Sequence, residues 1–413
     1  MITMRFDFRD LFQTNRLALS FQRLWIQFLG LLFGYGAYVV LTYAGLLLAG
    51  QHLDVLWPRY GLLPCAFGFS APWYSTILFG VALFIAVFAW MISGTAVSRA
   101  VYMNMKGNVF YTWKEAFRFA LKNKSGSVIF TPLTIAIIAV LTGAGGFVVG
   151  WLSKITSYVG DFGISLFVIV WFMATLFIVF VLLALVVSLF LTPSVLATTD
   201  DDAFEGIFQS FSILWSQPIR FIIYEIVIFI FAILGFGILA FIAKRTWLLM
   251  TSILTLGMGS EYADLSYYAS YLLQNWIYPA VAWSKVLFQS ITSQLFFTRD
   301  FVFVSVPGHI HIAAHLFAVS LVVIGGFIFS YPLAIFHTGN TISFLILKKI
   351  KDDDNLLERK DREEDDEEEM EEMSTAEPPK EVKKAPAKKK PAPKKTAAKK
   401  KATPAKKTKT TKK

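Results

Sequence analysis

The chain has 413 residues, 55% of them hydrophobic and 16% charged, with a formal net charge of +10 and a single cysteine. Such a composition excludes an ordinary soluble globular domain, and the lone thiol of Cys65 excludes an intrachain disulfide, a multi-thiolate zinc site and an iron–sulfur cluster. The averages conceal a division: up to Ile350 there are 19 Lys/Arg and 13 Asp/Glu, whereas the last 63 residues hold 20 and 16. Residues 1–350 read as a multi-pass membrane domain, 351–373 as an acidic disordered linker and 374–413 as a Lys/Ala/Pro-rich disordered tail.

The N-terminal stretch "MITMRFDFRDLFQTNRLALSFQRLW" has no early apolar core and no small-residue cleavage site, so it is not expected to be a secretory signal. Crossing about 30 Å of hydrocarbon takes about 20 apolar residues in a helix. Six stretches qualify, near Trp25–Gly50, Trp73–Ser98, Val128–Trp151, Ile164–Leu191, Ile219–Ala243 and Ile312–Leu333. Six spans are expected, with five and seven as alternatives. The last stretch runs on through "AIFHTGNTISFLIL" and is read as one long helix kinked at Pro332, which removes a backbone donor.

Orientation follows from the basic residues of the short connections. Arg5, Arg9, Arg16 and Arg23 precede the first span, and Arg99, Lys106, Lys114, Arg118, Lys122 and Lys124 fill the second connection. The opposite-side connections hold only Arg59 and Lys154. This asymmetry predicts an inner-membrane protein with both termini in the cytoplasm. The acidic fourth connection, "TTDDDAFEG", counts little in this rule.

An internal repeat fits that topology. "WKEAFRFALKNKSGSVIF" and "FEGIFQSFSILWSQPIRF" align without gaps, pairing Trp113 with Phe204 and Phe117 with Phe208. Both carry apolar residues at i, i+3, i+4 and i+7, one face of a helix. Thr112 with Glu115, and Asp202 with Glu205, have the spacing of a capping box. Each copy is read as an interfacial amphipathic helix leading into a span. Beyond the fifth span, Lys244–Gly308 has seven charged residues among many aromatics, including Trp247, Tyr262, Tyr268, Trp276 and Trp283. It is expected to lie outside, against the membrane or capping the bundle.

"SRAVYMNMKGNVFYTWKEAFRFALKNK", "FEGIFQSFSILWSQP" and the closing "FLILKKIKDDD" together resemble uncharacterised multi-pass proteins of planctomycete-type and related bacteria. Arg99 and the run from Glu115 to Ala120 match the first element of that pattern, and Phe204, Ser210, Ser212, Gln217 and Pro218 match parts of the second. The repeated helix-plus-span is also similar to membrane domains attached to some glycerophosphodiester phosphodiesterases, without their catalytic domain. The resemblance implies an architecture and supplies no activity.

Few residues point to chemistry. Glu225, in "IIYEIVIF", is the only acid well inside a predicted span and so a candidate for transport or proton relay, beside the plainer reading of a buried, hydrogen-bonded carboxyl near Arg220. His309, His311 and His315 have a spacing that can bind zinc or copper, beside the plainer reading of interfacial or pH-responsive histidines. His337 has no evident partner. No phosphate loop, nucleophile elbow or dinucleotide fingerprint is present, so neither catalysis nor a cofactor is expected.

From Asp352 to Glu372 the net charge is −11, and from Pro378 to Lys413 it is +15. The basic block is similar in composition to linker-histone tails. Lys388, Lys389, Lys390, Lys394, Lys395, Lys399, Lys400 and Lys401 can neutralise phosphates of DNA, RNA or anionic lipid but cannot read bases. The acidic run can screen the same lysines. The sequence as a whole predicts an all-α polytopic bundle serving as a non-enzymatic anchor or organiser in the lipid bilayer; the alternative is a transporter or channel using Glu225.

Overall fold

Long apolar runs fold as long helices here, and the computed structural model, which describes residues 4–65, 72–155, 157–277, 303–305 and 307–359, contains no strand among them. A 3₁₀ turn at Phe8–Gln13 leads into α1 (Thr14–Ala18) and α2 (Phe21–Leu48). Then come α3 (Leu53–Tyr60), α4 (Trp73–Lys106) and α5 (Trp113–Arg118), with a π-helical turn at Phe119–Asn123. Next are α6 (Ser125–Ile155), α7 (Ser157–Leu166), α8 (Val168–Thr199) and α9 (Ala203–Ser216). The chain continues through α10 (Pro218–Met258), α11 (Ser260–Trp276), α12 (Gly308–Asp352) and a 3₁₀ turn at Leu356–Glu358. Helices α2, α4, α6, α8, α10 and α12 are each long and apolar enough to cross a membrane. The protein is an all-α polytopic membrane helix bundle.

The six form three antiparallel hairpins, α2–α4, α6–α8 and α10–α12. They converge at one end, called here the near end, where α2, α6 and α10 begin and α4, α8 and α12 finish. There α12 packs against α1, α2, α4, α8 and α10. Every residue is buried in Met91–Met103 of α4, Leu191–Thr199 of α8 and Ala334–Leu347 of α12. The far halves of α6 and α8 instead leave large apolar side chains outward, among them Phe147, Trp151, Ile169 and Phe172. Such surface suits lipid, in which apolar faces need no protein cover.

Three expectations change. The fifth span does not end at Ala243: α10 runs on to Met258, 41 residues and about 60 Å in all, and carries Lys244 and Arg245 within it. No proline or glycine interrupts positions 244–256, and the helix stops only at Gly259, whose φ is +66°. The fourth span is displaced, running from Val168 to Thr199, with α7 as a separate helix before it. The folded body also passes position 350: α12 reaches Asp352, and Leu356 and Leu357 are buried beyond it. Pro332 lies inside the single helix α12.

Of the expected external segment, α11 is described and does pack on the bundle. Its Tyr268, Ala269 and Leu272 meet Ala314 and Ala318 of α12. Trp276 accepts a 2.7 Å hydrogen bond at its carbonyl from the Leu62 amide and sits edge-on to Trp57. Trp283 lies outside the described residues.

Close approach at the near end depends on missing side chains. A Cβ on Gly94 of α4 would collide with the His337 ring of α12, and one on Gly339 of α12 would lie 2.7 Å from Ile228 of α10. Gly94→Ala is therefore expected to cost about 1–3 kcal/mol of stability. Gly36→Ala, where nothing lies within 4 Å, should be neutral or gain up to about 1 kcal/mol from helix propensity. Melting of the two variants in detergent checks this, and equal shifts would refute the close-packing account.

Candidate functional site

The first interfacial helix forms as its sequence predicts. The Thr112 amide donates to Glu115 Oε2 at 2.6 Å and the Glu115 amide to Thr112 Oγ1 at 3.3 Å, completing the capping box. Trp113 and Phe117 meet edge-on, while Ala116, Phe119 and Ala120 face inward. The second copy departs from the pattern. Asp202 makes no side-chain cap; Glu205 instead accepts from Gln209 Nε2 at 2.6 Å and faces Lys348 Nζ at 3.6 Å. Its buried face is Gly206, Gln209, Ser210 and Ile213, so Phe204 and Phe208 turn outward, 76% and 51% exposed. The cause lies on α6: Thr131 donates to the Ala203 carbonyl at 3.2 Å and occupies the space a Cβ on Gly206 would need.

Between the two copies sits a pair of buried cations. Arg99, fully buried on α4, donates from Nη1 to the Ala197 carbonyl at 3.0 Å. Lys124 Nζ donates to the carbonyls of Asp200 at 2.8 Å and Asp201 at 3.2 Å, and pairs with Asp200 Oδ1 at 2.7 Å. Both charges lie over the Phe119 ring, at 4.3 and 5.7 Å from its centroid. The carbonyl end of α8 carries partial negative charge and unsatisfied acceptors, and these two cations neutralise both. Asp200 caps that end in the left-handed region, with φ +57°.

The same corner holds the last described residues. Tyr102 Oη donates to the Leu356 carbonyl at 2.7 Å, Lys106 Nζ to the Arg359 carbonyl at 2.9 Å, and Arg359 lies 3.8 Å from Asp201. The exit of the chain toward its charged C-terminal segment is thereby fixed to the ends of α4 and α8. The tail lysines Lys388 to Lys401 lie outside the described residues.

The centre of the near end is polar. Ser98, Ser194 and Thr341 form a ladder of hydroxyls from α4 through α8 to α12, each step 3.4 Å, and Thr341 donates to the His337 carbonyl at 2.8 Å. Hydroxyls in this role bind spanning helices together. His337 is fully buried, its ring centroid 5.2 Å from Trp90. Glu225 is 6% exposed on the face of α10 that includes Phe221, Ile228 and Ala232, and neither carboxylate oxygen has a hydrogen-bond partner among the described residues. Arg220 does not meet it; its Nη1 points to Gln217 Oε1 at 3.5 Å, near solvent.

At the far end the rings of His311 and His315 lie tilted, 4.5 Å between centroids, with Tyr268 5.2 Å from His311 and Trp276 6.2 Å from His315. His315 Nδ1 lies 2.8 Å from the His311 carbonyl. Among the described residues no group of three His, Cys, Asp or Glu side chains is arranged to hold a metal. The His309, His311 and His315 set therefore yields an aromatic-packed pair, with one ring nitrogen held by its own helix.

Comparison with protein-family models, with curated proteins and with solved structures gives no match to this chain. Fold and composition define its class, a multi-pass integral membrane protein.

Removing one partner of a buried ion pair leaves the other charge uncompensated. Lys124→Met is expected to cost about 3–5 kcal/mol, seen as a lowered melting temperature of the full chain in detergent. Exchanging the exposed Lys114 or Lys122 for Met should change little, and similar losses at all three positions would rule out the capping role.

Proposed function

We propose that this is a non-enzymatic membrane anchor or organiser. Its bundle sits in the cell inner membrane with both termini in the cytoplasm, and its polybasic C-terminal tail binds polyanions without sequence specificity. One observation carries the reading: the chain's exit at Leu356–Arg359 is held by α4 and by the end of α8, at a near end closed by close-packed helices. A tail that only needed to be long would not need a fixed root. The 36 residues from Pro378 to Lys413 carry a net +15 and only lysine cations, which supports phosphate neutralisation and no base readout. The acidic run before it competes for the same lysines and makes binding conditional on a stronger polyanion.

A second reading, a transporter or channel, is favoured by the unpartnered Glu225 carboxylate within α10.

The test is binding of the full chain, in nanodiscs of zwitterionic lipid, to duplex DNA across a salt series. Each neutralised phosphate contributes about 0.9 to the slope of log K against log salt. Changing Lys388, Lys389, Lys390, Lys394, Lys395, Lys399, Lys400 and Lys401 to Gln should flatten that slope by up to about 7. A parallel titration with anionic vesicles separates lipid from nucleic acid as the preferred surface. An unchanged slope, or no binding to either surface, would sink the tail reading.

A further inference from the structure

Several buried polar side chains of the near end have no hydrogen-bond partner among the described residues, and three of them share one level of α10 and α12. Two contacts fix the antiparallel register of α10 and α12. Gln217 Nε2 donates to the Leu347 carbonyl at 3.3 Å, and Ile228 fills the space beside Gly339. Glu225 lies between these rungs, level with the segment from Asn340 to Ser343. Both oxygens of Glu225, both polar atoms of the Asn340 carboxamide and the Ser343 hydroxyl are buried without a hydrogen-bond partner. Thr338 Oγ1 and both His337 nitrogens, up to one turn away on α12, share that condition. Glu225 is 6% exposed, and the other four residues are at 0%.

Buried polar groups are normally satisfied, and each one left unpaired opposes folding. Three such side chains, Glu225, Asn340 and Ser343, at one level of two facing helices therefore point to a ligand rather than to independent defects. The basic residues near this end are committed elsewhere. Arg23 donates to the Leu17 carbonyl, Lys348 pairs with Glu205 and Asp352, and Arg99 and Lys124 hold the end of α8.

We propose that Glu225, Asn340 and Ser343 form a binding site for one alkali-metal cation of the Na⁺ or K⁺ class. The single carboxylate supplies the charge, and the carboxamide and hydroxyl supply hard, neutral oxygen ligands. An anion is excluded by the carboxylate. A divalent ion would keep a net charge beside one carboxylate in a medium where uncompensated charge is strongly penalised. Protonation of Glu225 would cancel its charge but supply a single O–H donor, enough for only one of the carboxamide and hydroxyl oxygens. The inference deepens the transporter reading and is independent of the tail.

The test uses the full chain in nanodiscs, titrating NaCl or KCl against choline chloride at constant ionic strength and pH. Melting temperature and tryptophan emission are followed, Trp90 being 5.2 Å from the His337 ring. A ligand that binds only the folded state raises the melting temperature saturably. The expected result is such a rise with Na⁺ or K⁺ and none with choline, abolished in Glu225→Gln. Ser343→Ala keeps the carboxylate and should weaken the cation about five- to tenfold, as for loss of one polar ligand. It decides the matter if Glu225→Gln fails to fold. Equal responses to choline, a response to pH alone, or an unaltered affinity in Ser343→Ala would each overturn the site. DNA binding by the same preparation reports separately on the tail.

Discussion

The near end depends on how the carbonyl terminus of α8 is closed. A helix ending inside a protein leaves acceptors that must be satisfied, and here no water-facing turn does it. Arg99 arrives from α4 and Lys124 from the start of α6, with the Phe119 ring between them. These contacts lock three helices to one point. They also explain why the π-helical turn at Phe119–Asn123 matters: it delivers Phe119 inward and brings Lys124 round to Asp200. The hydroxyl ladder and the glycine contacts then fill the space that this closure defines.

Much of this order was legible in the residues. Apolar run length found the six spans, and the helical period with Thr112 and Glu115 found α5 and its cap. The rest needed tertiary context. Arg99 counts among the basic residues of a connection, yet "SGTAVSRAVYM" is apolar on both sides of it, a sign of a charge turned inward. The outward face of α9 follows from Gly206 fitting Thr131, which no periodicity shows. The extent of α10 was hidden because Lys244 and Arg245 look like a span's end, although long basic side chains lie along a helix without breaking it.

The candidate site was less legible still. Glu225 stood out as an acid in an apolar run, but its facing residues did not. Asn340 and Ser343 are small polar residues in the apolar tail of the last span, and such residues more often serve as glue between helices. Only the register of α10 against α12 separates the glue, Ser98, Ser194 and Thr341, from the residues left without partners.

The buried turn at Leu356–Leu357 has a mechanical consequence. Tension on the chain beyond Arg359 does not pull straight along the axis of α12. It acts first on two leucines seated against α4 and on the carbonyls held by Tyr102 and Lys106. Load would thus enter across helices, in shear, and spread through the same corner that closes α8. Unseating those leucines would have to precede any peeling of α12, giving the root of the tail a yield point of its own.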